Sequence, residues 1–215
     1  MAGEKWIVVV GGSGALGSAF IEHASGLGFK TCCIDLRPNP RADLNQTPSD
    51  NVNDHLLQNV EAVIGAAGSW AGGSLKEVKL VNDPLDTLYQ TNVKSAMLAA
   101  AIGCQSSASC IMLTGAWAAH RQGCQSMAAY GAVKRAVEGI AESISDNKKA
   151  ILLLPQVLDT LANRRDMGKP DGSPDWADCG VIAKHVLDSF TRIKGTGLER
   201  IRVYGKEGET VFESV

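Results

Sequence analysis

Apolar residues along the chain gather in two kinds of segment that alternate. The first is a short unbroken run rich in β-branched residues: WIVVV at 6–10, KTCCID at 30–35, AVIGAA at 62–67, SCIMLT at 109–114, AILLL at 150–154 and RIRVY at 200–204. A strand with one wet face alternates apolar and polar residues, so unbroken runs predict strands covered on both faces, as in a parallel sheet. The second kind carries apolar residues at helical spacing and covers roughly 15–28, 84–103, 127–146 and 176–190. Strand then helix, repeated, predicts an α/β fold: a doubly wound parallel sheet flanked by helices on both faces. A weaker strand is expected at 42–44 and a short helix near 50–58. The stretch 155–175, rich in Pro, Gly and Asp, is read as a functional loop over the carboxyl edge of the sheet.

At 215 residues the chain suits one domain, 1–215, with no linker dividing it. Its net charge of -2 shows no basic excess for nucleic acid or an anionic membrane surface, which makes small-molecule chemistry the expectation. No run reaches membrane-spanning length, and the apolar run of MAGEKWIVVVGG is too short for a signal peptide, so a cytoplasmic location is expected. Cys32, Cys33, Cys104, Cys110, Cys124 and Cys179 form no C-x-x-C pair and no ligand-like spacing with the histidines, so neither a metal nor a disulfide framework is expected.

Composition leaves the chemistry open; the turn after the first strand narrows it. Gly11, Gly12, Ser13, Gly14, Ala15, Leu16 and Gly17 follow WIVVV, and Gly12, Gly14 and Gly17 satisfy G-x-G-x-x-G at the mouth of a predicted helix. Such a loop lets backbone N–H groups and the helix N-terminus approach a pyrophosphate, which makes the domain Rossmann-like. Asp35 ends the second strand, eighteen residues past Gly17. There it would accept hydrogen bonds from the adenosine ribose and repel a 2'-phosphate, favouring NADH. Arg37 either offsets that phosphate, leaving NADPH usable, or is a solvated loop charge. Leu36 lies between the two.

Tyr130 and Lys134 stand four residues apart in AAYGAVKRAV, 128–137. On a helix such residues neighbour one another, about 5–6 Å apart. A nearby ammonium stabilises a phenolate, so the pair is expected to lower the pKa of the phenol, ordinarily about 10, and make it a proton donor closer to neutral pH. Alone, Y-x-x-x-K reads as a surface aromatic and a solvated lysine. Its place in the helix after SCIMLT, downstream of a nucleotide loop, favours chemistry.

The glycine loop, GAAG at 65–68, Asn92, Tyr130 with Lys134, and the Pro155 loop with Thr160 together resemble the short-chain dehydrogenase/reductases over nearly the whole chain. Gly11 to Ser18, Ala67 to Gly73, Leu113 to Ala116 and Leu154 to Arg164 are similar in particular to the dihydropteridine reductases of that family. The resemblance implies that Lys134 holds the nicotinamide ribose and assists Tyr130, and that Asp43 and Leu44 lie against the adenine. It also implies that Ala67, Gly68, Thr114, Pro155, Val157 and Thr160 line the cofactor site. Trp70, Ala116, Tyr130 and Asn163 are the implied substrate contacts. Trp70 either stacks on a planar pterin or plugs its loop, and Asn163 and Arg164 either meet the substrate or cap their loop. Asn92 is either a structural polar group or part of a proton relay.

One departure from the dehydrogenase pattern stands out: Ala116 occupies the place of the serine that holds a carbonyl oxygen. The implied reaction is the NAD(P)H-dependent reduction of a quinonoid dihydropterin (quinonoid 6,7-dihydropteridine) to the tetrahydro form, regenerating tetrahydrobiopterin. A reductase of another quinonoid or carbonyl compound, and an inactive dinucleotide sensor, are the rivals. Small residues in the helical segments 84–103 and 127–146, including Ala96, Ala99, Ala100, Gly103, Ala129, Ala132 and Ala136, suggest close helix approach. With the resemblance they imply a homodimer able to assemble into a dimer of dimers.

Overall fold

The computed structural model describes residues 4–49, 54–76, 83–121, 124–144, 147–190 and 195–215. In chain order these form β1 (Trp6–Val10), α1 (Ala15–Gly26), β2 (Lys30–Ile34), β3 (Leu44–Gln46), α2 (Asp54–Gln58), β4 (Val60–Gly65) and α3 (Asp83–Leu88). A π-helical segment (Tyr89–Lys94) leads into α4 (Ser95–Gln105), β5 (Cys110–Thr114), α5 (Trp117–Arg121) and α6 (Ala128–Glu142). The chain continues through β6 (Lys149–Pro155), β7 (Leu158–Asp159), α7 (Leu161–Asp166), β8 (Ala177–Asp178), α8 (Cys179–Phe190), β9 (Gly197–Lys206) and β10 (Glu209–Ser214).

Eight strands make one sheet in the order β10-β9-β6-β5-β4-β1-β2-β3, and β7 with β8 make a small second one. All pairs in the large sheet are parallel except β9 with β10. Alternation along β1 shows why its apolar run is unbroken. Ile7 and Val9 bury with Phe20 of α1 and Ile182 of α8, while Val8 and Val10 bury on the other face with Ala99 of α4 and Val137 of α6. The strand order reverses at β1, between β2 and β4, which opens the crevice where doubly wound sheets take their ligands. Among the described residues no helix is long and apolar enough to cross a membrane.

Several expectations shift. The weak strand lies at Leu44–Gln46 rather than 42–44, and the short helix begins at Asp54, with 50–53 outside the described residues. The helical segment 84–103 is three pieces, its middle wound as a π-helix that carries Asn92. The helix expected over 127–146 ends at Glu142, with 145–146 outside the described residues, and the one expected from 176 starts at Cys179 after β8. Antiparallel β10 has no counterpart in the sequence reading, because its alternating pattern was not an unbroken apolar run. Most of the small residues taken as a helix-pairing surface face the protein's own core. Ala96, Ala99, Ala100 and Ala129 are buried, and a Cβ on Gly103 would lie 2.4 Å from the Ile111 side chain. Only Ala132 and Ala136 of that set are exposed.

Candidate functional site

The carboxyl ends of β1, β4, β5 and β6 converge on one edge, and the loops leaving them build the candidate site. Gly11 leaves β1 with φ of +87°, and a Cβ there would sit 2.3 Å from the backbone N of Ala67, just past β4. A Cβ on Gly17 would sit 2.1 Å from the carbonyl oxygen of Gly11. These glycines fold the loop tightly against α1 and β4. Gly14 differs: a Cβ there would meet only the Gly11 oxygen, at 3.4 Å, so its outer side is open. Gly14 also begins α1 with no side-chain cap and no acid in the first turn. The free N–H groups of that turn, with the helix dipole behind them and Ala15 exposed beside them, fit the pyrophosphate of a dinucleotide. Leu16 is buried, anchoring the turn.

Asp35, at the end of β2, is tied to this loop. Its carboxylate accepts hydrogen bonds from Ser13 N at 3.0 Å and Arg37 N at 3.4 Å, which fixes it beside the glycine loop. The Ser13 hydroxyl donates to the Arg37 carbonyl oxygen at 2.5 Å. Arg37 is exposed, and Leu36 is 84% exposed beside it.

Across the crevice, α6 presents Tyr130 and Lys134. Lys134 is buried, and its Nζ donates to the carbonyl oxygen of Thr114 at 2.9 Å. The Thr114 hydroxyl itself donates to Gly65 O at 2.8 Å, so it braces β5 against β4 and does not face the crevice. A Cβ on Gly68 would stand 2.8 Å from Asn92 Oδ1 and 3.3 Å from Lys134 Nζ, so this exposed glycine lies against both groups. Asn92 Nδ2 donates to Ser69 O and Leu88 O, while its Oδ1 is buried without a partner.

The electrostatics correct one expectation. Burial pushes the Tyr130 hydroxyl up to about 12, with a smaller push from Cys124, and burial pushes the Lys134 ammonium down to about 8. The ammonium lies 5.8 Å from the centre of the phenol ring, and desolvation outweighs its attraction. The protein by itself therefore keeps the phenol protonated at neutral pH and makes it a weaker acid than a free phenol. Ala116 is buried at the end of the same β5 turn, a methyl where a hydroxyl was the alternative.

No family model matches the chain. Among curated proteins it is similar to the dihydropteridine reductase of Dictyostelium discoideum, 29% identical over 207 residues that cover 87% of this chain and 88% of that one. Among solved structures it superposes with TM-score 0.73 on an alcohol dehydrogenase of the archaeon Thermococcus sibiricus complexed with 5-hydroxy-NADP, 13% identical over 94% of this chain and 97% of that one. A short-chain dehydrogenase/reductase of Serratia marcescens gives TM-score 0.71 at 18% identity, over 96% and 97% of the two chains. The chain has the short-chain dehydrogenase/reductase fold.

Within the short-chain dehydrogenase/reductase fold, other implied contacts land elsewhere. Asp43 lies toward the amino end of β3, and its carboxylate accepts from Lys30 Nζ at 2.9 Å and from the N and hydroxyl of Thr31. Leu44 pairs with Cys32 in the sheet and packs on the core. Because β3 runs parallel to β2, its carboxyl end at Gln46 reaches the carboxyl edge of the sheet instead, about 10 Å further along the strand. Asp43 and Leu44 are thus structural, not adenine contacts. Asn163 is also turned away from a substrate role: its Nδ2 donates to Leu158 O at 2.7 Å and its N to the Thr160 hydroxyl at 3.1 Å, the cap of α7. Arg164 closes a bidentate pair on Asp159, at 2.6 and 2.7 Å, holding the loop. Pro155 and Val157 do stand at the carboxyl edge of β6, where Val157 O pairs the loop to Ala177. Trp70 is 58% exposed, with Nε1 donating to the Met127 sulfur at 3.0 Å, and the Gly73–Met127 bridge fixes its loop to the start of α6. Among the described residues no three His, Cys, Asp or Glu side chains cluster to hold a metal. The sequence reading missed Asn39, buried beneath the glycine loop; nothing marks a loop asparagine as buried before the chain is folded.

Proposed function

We propose that the protein is an NAD(P)H-dependent oxidoreductase that reduces quinonoid 6,7-dihydropteridine to the 5,6,7,8-tetrahydropteridine. What carries the reading is the pairing of a protonated, half-buried Tyr130 with buried Lys134 beside an open glycine loop, where Ala116 offers no hydroxyl. The similarity to a dihydropteridine reductase supports it.

Nicotinamide dinucleotide, when bound, supplies a hydride. Around it, the first-turn N–H groups of α1 from Ala15 onward would hold the pyrophosphate, Asp35 would take the adenosine ribose hydroxyls, and Lys134 would hold the nicotinamide ribose. Tyr130 gives the proton that completes the two-electron reduction, so one NADH and one proton are consumed per tetrahydropteridine formed. A ketone gathers charge on one oxygen and needs a donor fixed there. A quinonoid dihydropterin spreads the incoming electrons over a conjugated ring, so a methyl at 116 suffices, and exposed Trp70 offers a flat face for stacking. NADH is preferred and NADPH used, because the Asp35 carboxylate opposes a 2'-phosphate that Arg37 partly offsets. The protein acts in the cytoplasm as a homodimer paired through α4 and α6, where Met97, Ala132 and Ala136 are exposed; light scattering at micromolar concentration tests the dimer.

The test of the activity is stoichiometric. Purified protein should form one tetrahydropteridine per NADH consumed from chemically generated quinonoid dihydropterin. NADH binding without any turnover of quinonoid or carbonyl compounds would instead establish a sensor.

A further inference from the structure

We infer that Asn39 is a positioning residue for the cofactor, a buried latch that holds the glycine loop and the ribose-reading segment together as one rigid unit. The inference rests on the dinucleotide-binding part of the function proposed above. Asn39 sits in the connection between β2 and β3, yet it is only 5% exposed. Its Nδ2 donates to Gly12 O at 2.7 Å and to the Ser18 hydroxyl at 3.1 Å, and its Oδ1 accepts from Arg41 N at 2.9 Å. Asn45 holds the Asn39 backbone from both sides, with Oδ1 accepting from Asn39 N at 2.7 Å and Nδ2 donating to Asn39 O at 3.1 Å.

Two physical consequences follow. Pulling the Gly12 carbonyl down toward Asn39 orients the glycine loop, whose Gly14 N–H is itself tied to Gly11 O at 3.1 Å, and with it the N–H groups of the first turn of α1. The same side chain ties down the segment that carries Leu36 and Arg37, already joined to the loop from its other end by the Ser13 to Arg37 hydrogen bond. The loop that meets the pyrophosphate and the segment that meets the ribose therefore move together or not at all. A dinucleotide that must bridge both binds best when their spacing is fixed beforehand. The bonding also fixes the residue type. A carboxylate at 39 would face the Gly12 carbonyl with an acceptor, and a leucine would leave that carbonyl with the Ser18 hydroxyl as its remaining side-chain donor.

The test measures NADH and NADPH affinity by nucleotide fluorescence, with thermal melting and turnover at saturating NADH alongside, in wild type, Asn39→Leu, Asn39→Asp and Asn45→Ala. Asn39→Leu should raise the NADH Kd about tenfold, the size expected for one lost positioning hydrogen bond, and Asn39→Asp should raise it further. In both, kcat at saturating NADH should stay within about twofold, and the ratio of NADPH to NADH Kd should move further from one as the Arg37 segment, which offsets the 2'-phosphate repulsion, loosens. A merely structural role would lower the melting temperature and leave Kd and the ratio unchanged, which overturns the inference. If the Asn39 variants do not fold, Asn45→Ala carries the test. It loosens Asn39 without touching the loop and should raise Kd about threefold; an unchanged Kd overturns the inference. Wild type that fails to bind either nucleotide overturns both this inference and the function it rests on, whereas binding that the variants leave intact overturns the latch alone.

Discussion

Replacing Lys134 by methionine should make the protein no less stable while removing its chemistry. Lys134 is fully enclosed, and burial pulls its ammonium from the ordinary 10.5 down to about 8. That drop corresponds to roughly 3 kcal/mol of disfavoured charge in the folded state at neutral pH. Methionine is unbranched, one heavy atom shorter than lysine and uncharged, so Lys134→Met removes the penalty. It also removes the hydrogen bond to Thr114 O, a charged-donor bond contributing about 1.5–3 kcal/mol. The balance runs from about neutral to about 2 kcal/mol in favour of the variant, a rise in Tm of up to roughly 6 °C for a chain of this size. The pH dependence gives the sharper signature. Because the folded-state value is depressed, the unfolded chain binds more protons between about 8 and 10.5. Wild-type stability from this group therefore rises across that window, and the destabilisation is complete below about 8 and gone above 10.5. The variant's advantage should be largest at pH 6.5 and shrink by roughly 2 kcal/mol at pH 9.5. Other thiols and phenols are common to both proteins and cancel in the difference. Paired thermal melts at the two pH values, with NADH affinity measured on the same samples, read all of this. A variant destabilised by several kcal/mol at neutral pH, or a difference between the two proteins that does not change with pH, would refute a buried, strained ammonium at this position.

Tyr130→Phe should lower kcat by about ten- to ten-thousandfold with NADH affinity within about twofold, since the phenol gives a proton and the ribose contact belongs to Lys134; equal kcat in steady-state assays would remove its role. Asp35→Ala should narrow or invert the NADH preference, read as the ratio of kcat/KM for the two cofactors. Thr114→Val should lose about 1 kcal/mol of stability, because its hydroxyl bonds Gly65 O, and leave pterin reduction largely intact. Thr114 and Ser126, the latter exposed two residues before α6, are the hydroxyls that could replace the missing serine's; Ser126→Ala should leave both stability and turnover near wild type, and a large loss of activity in either variant would show that the serine's function had moved there.

The parts of the fold legible in the sequence are those set by periodicity and by backbone chemistry. Val8 and Val9 of β1 pack on opposite faces, so an unbroken run could only be a covered strand. Gly11 and Gly17 are required by contacts of 2.3 and 2.1 Å that any Cβ would make, and such requirements surface as glycines in a fixed spacing. What escaped depended on which way a side chain turns. Asp43 was placed on the cofactor by resemblance, and the direction of β3 moves it to the far end, where Lys30 and Thr31 take its carboxylate. Asn163 was a candidate for substrate, and the cap of α7 claims it. The alanines of α4 look the same in sequence whether they meet their own sheet or another molecule; burial shows the former. The Tyr130 pKa had the expected partner but the opposite sign, because desolvation depends on depth within the fold.

The proposed function requires that a site with Tyr130 and Lys134 but a methyl at Ala116 act on a conjugated quinonoid ring rather than on an isolated carbonyl. The most direct measurement is kcat/KM for quinonoid dihydropterin against a panel of simple ketones and aldehydes, in wild type and in Ala116→Ser. Wild type should turn over the dihydropterin at least about a hundredfold better than any of the panel, the scale of one missing oxyanion donor. Ala116→Ser should narrow that gap by gaining on ketones. Wild-type turnover of ketones that equals or exceeds turnover of the dihydropterin would contradict the proposed function.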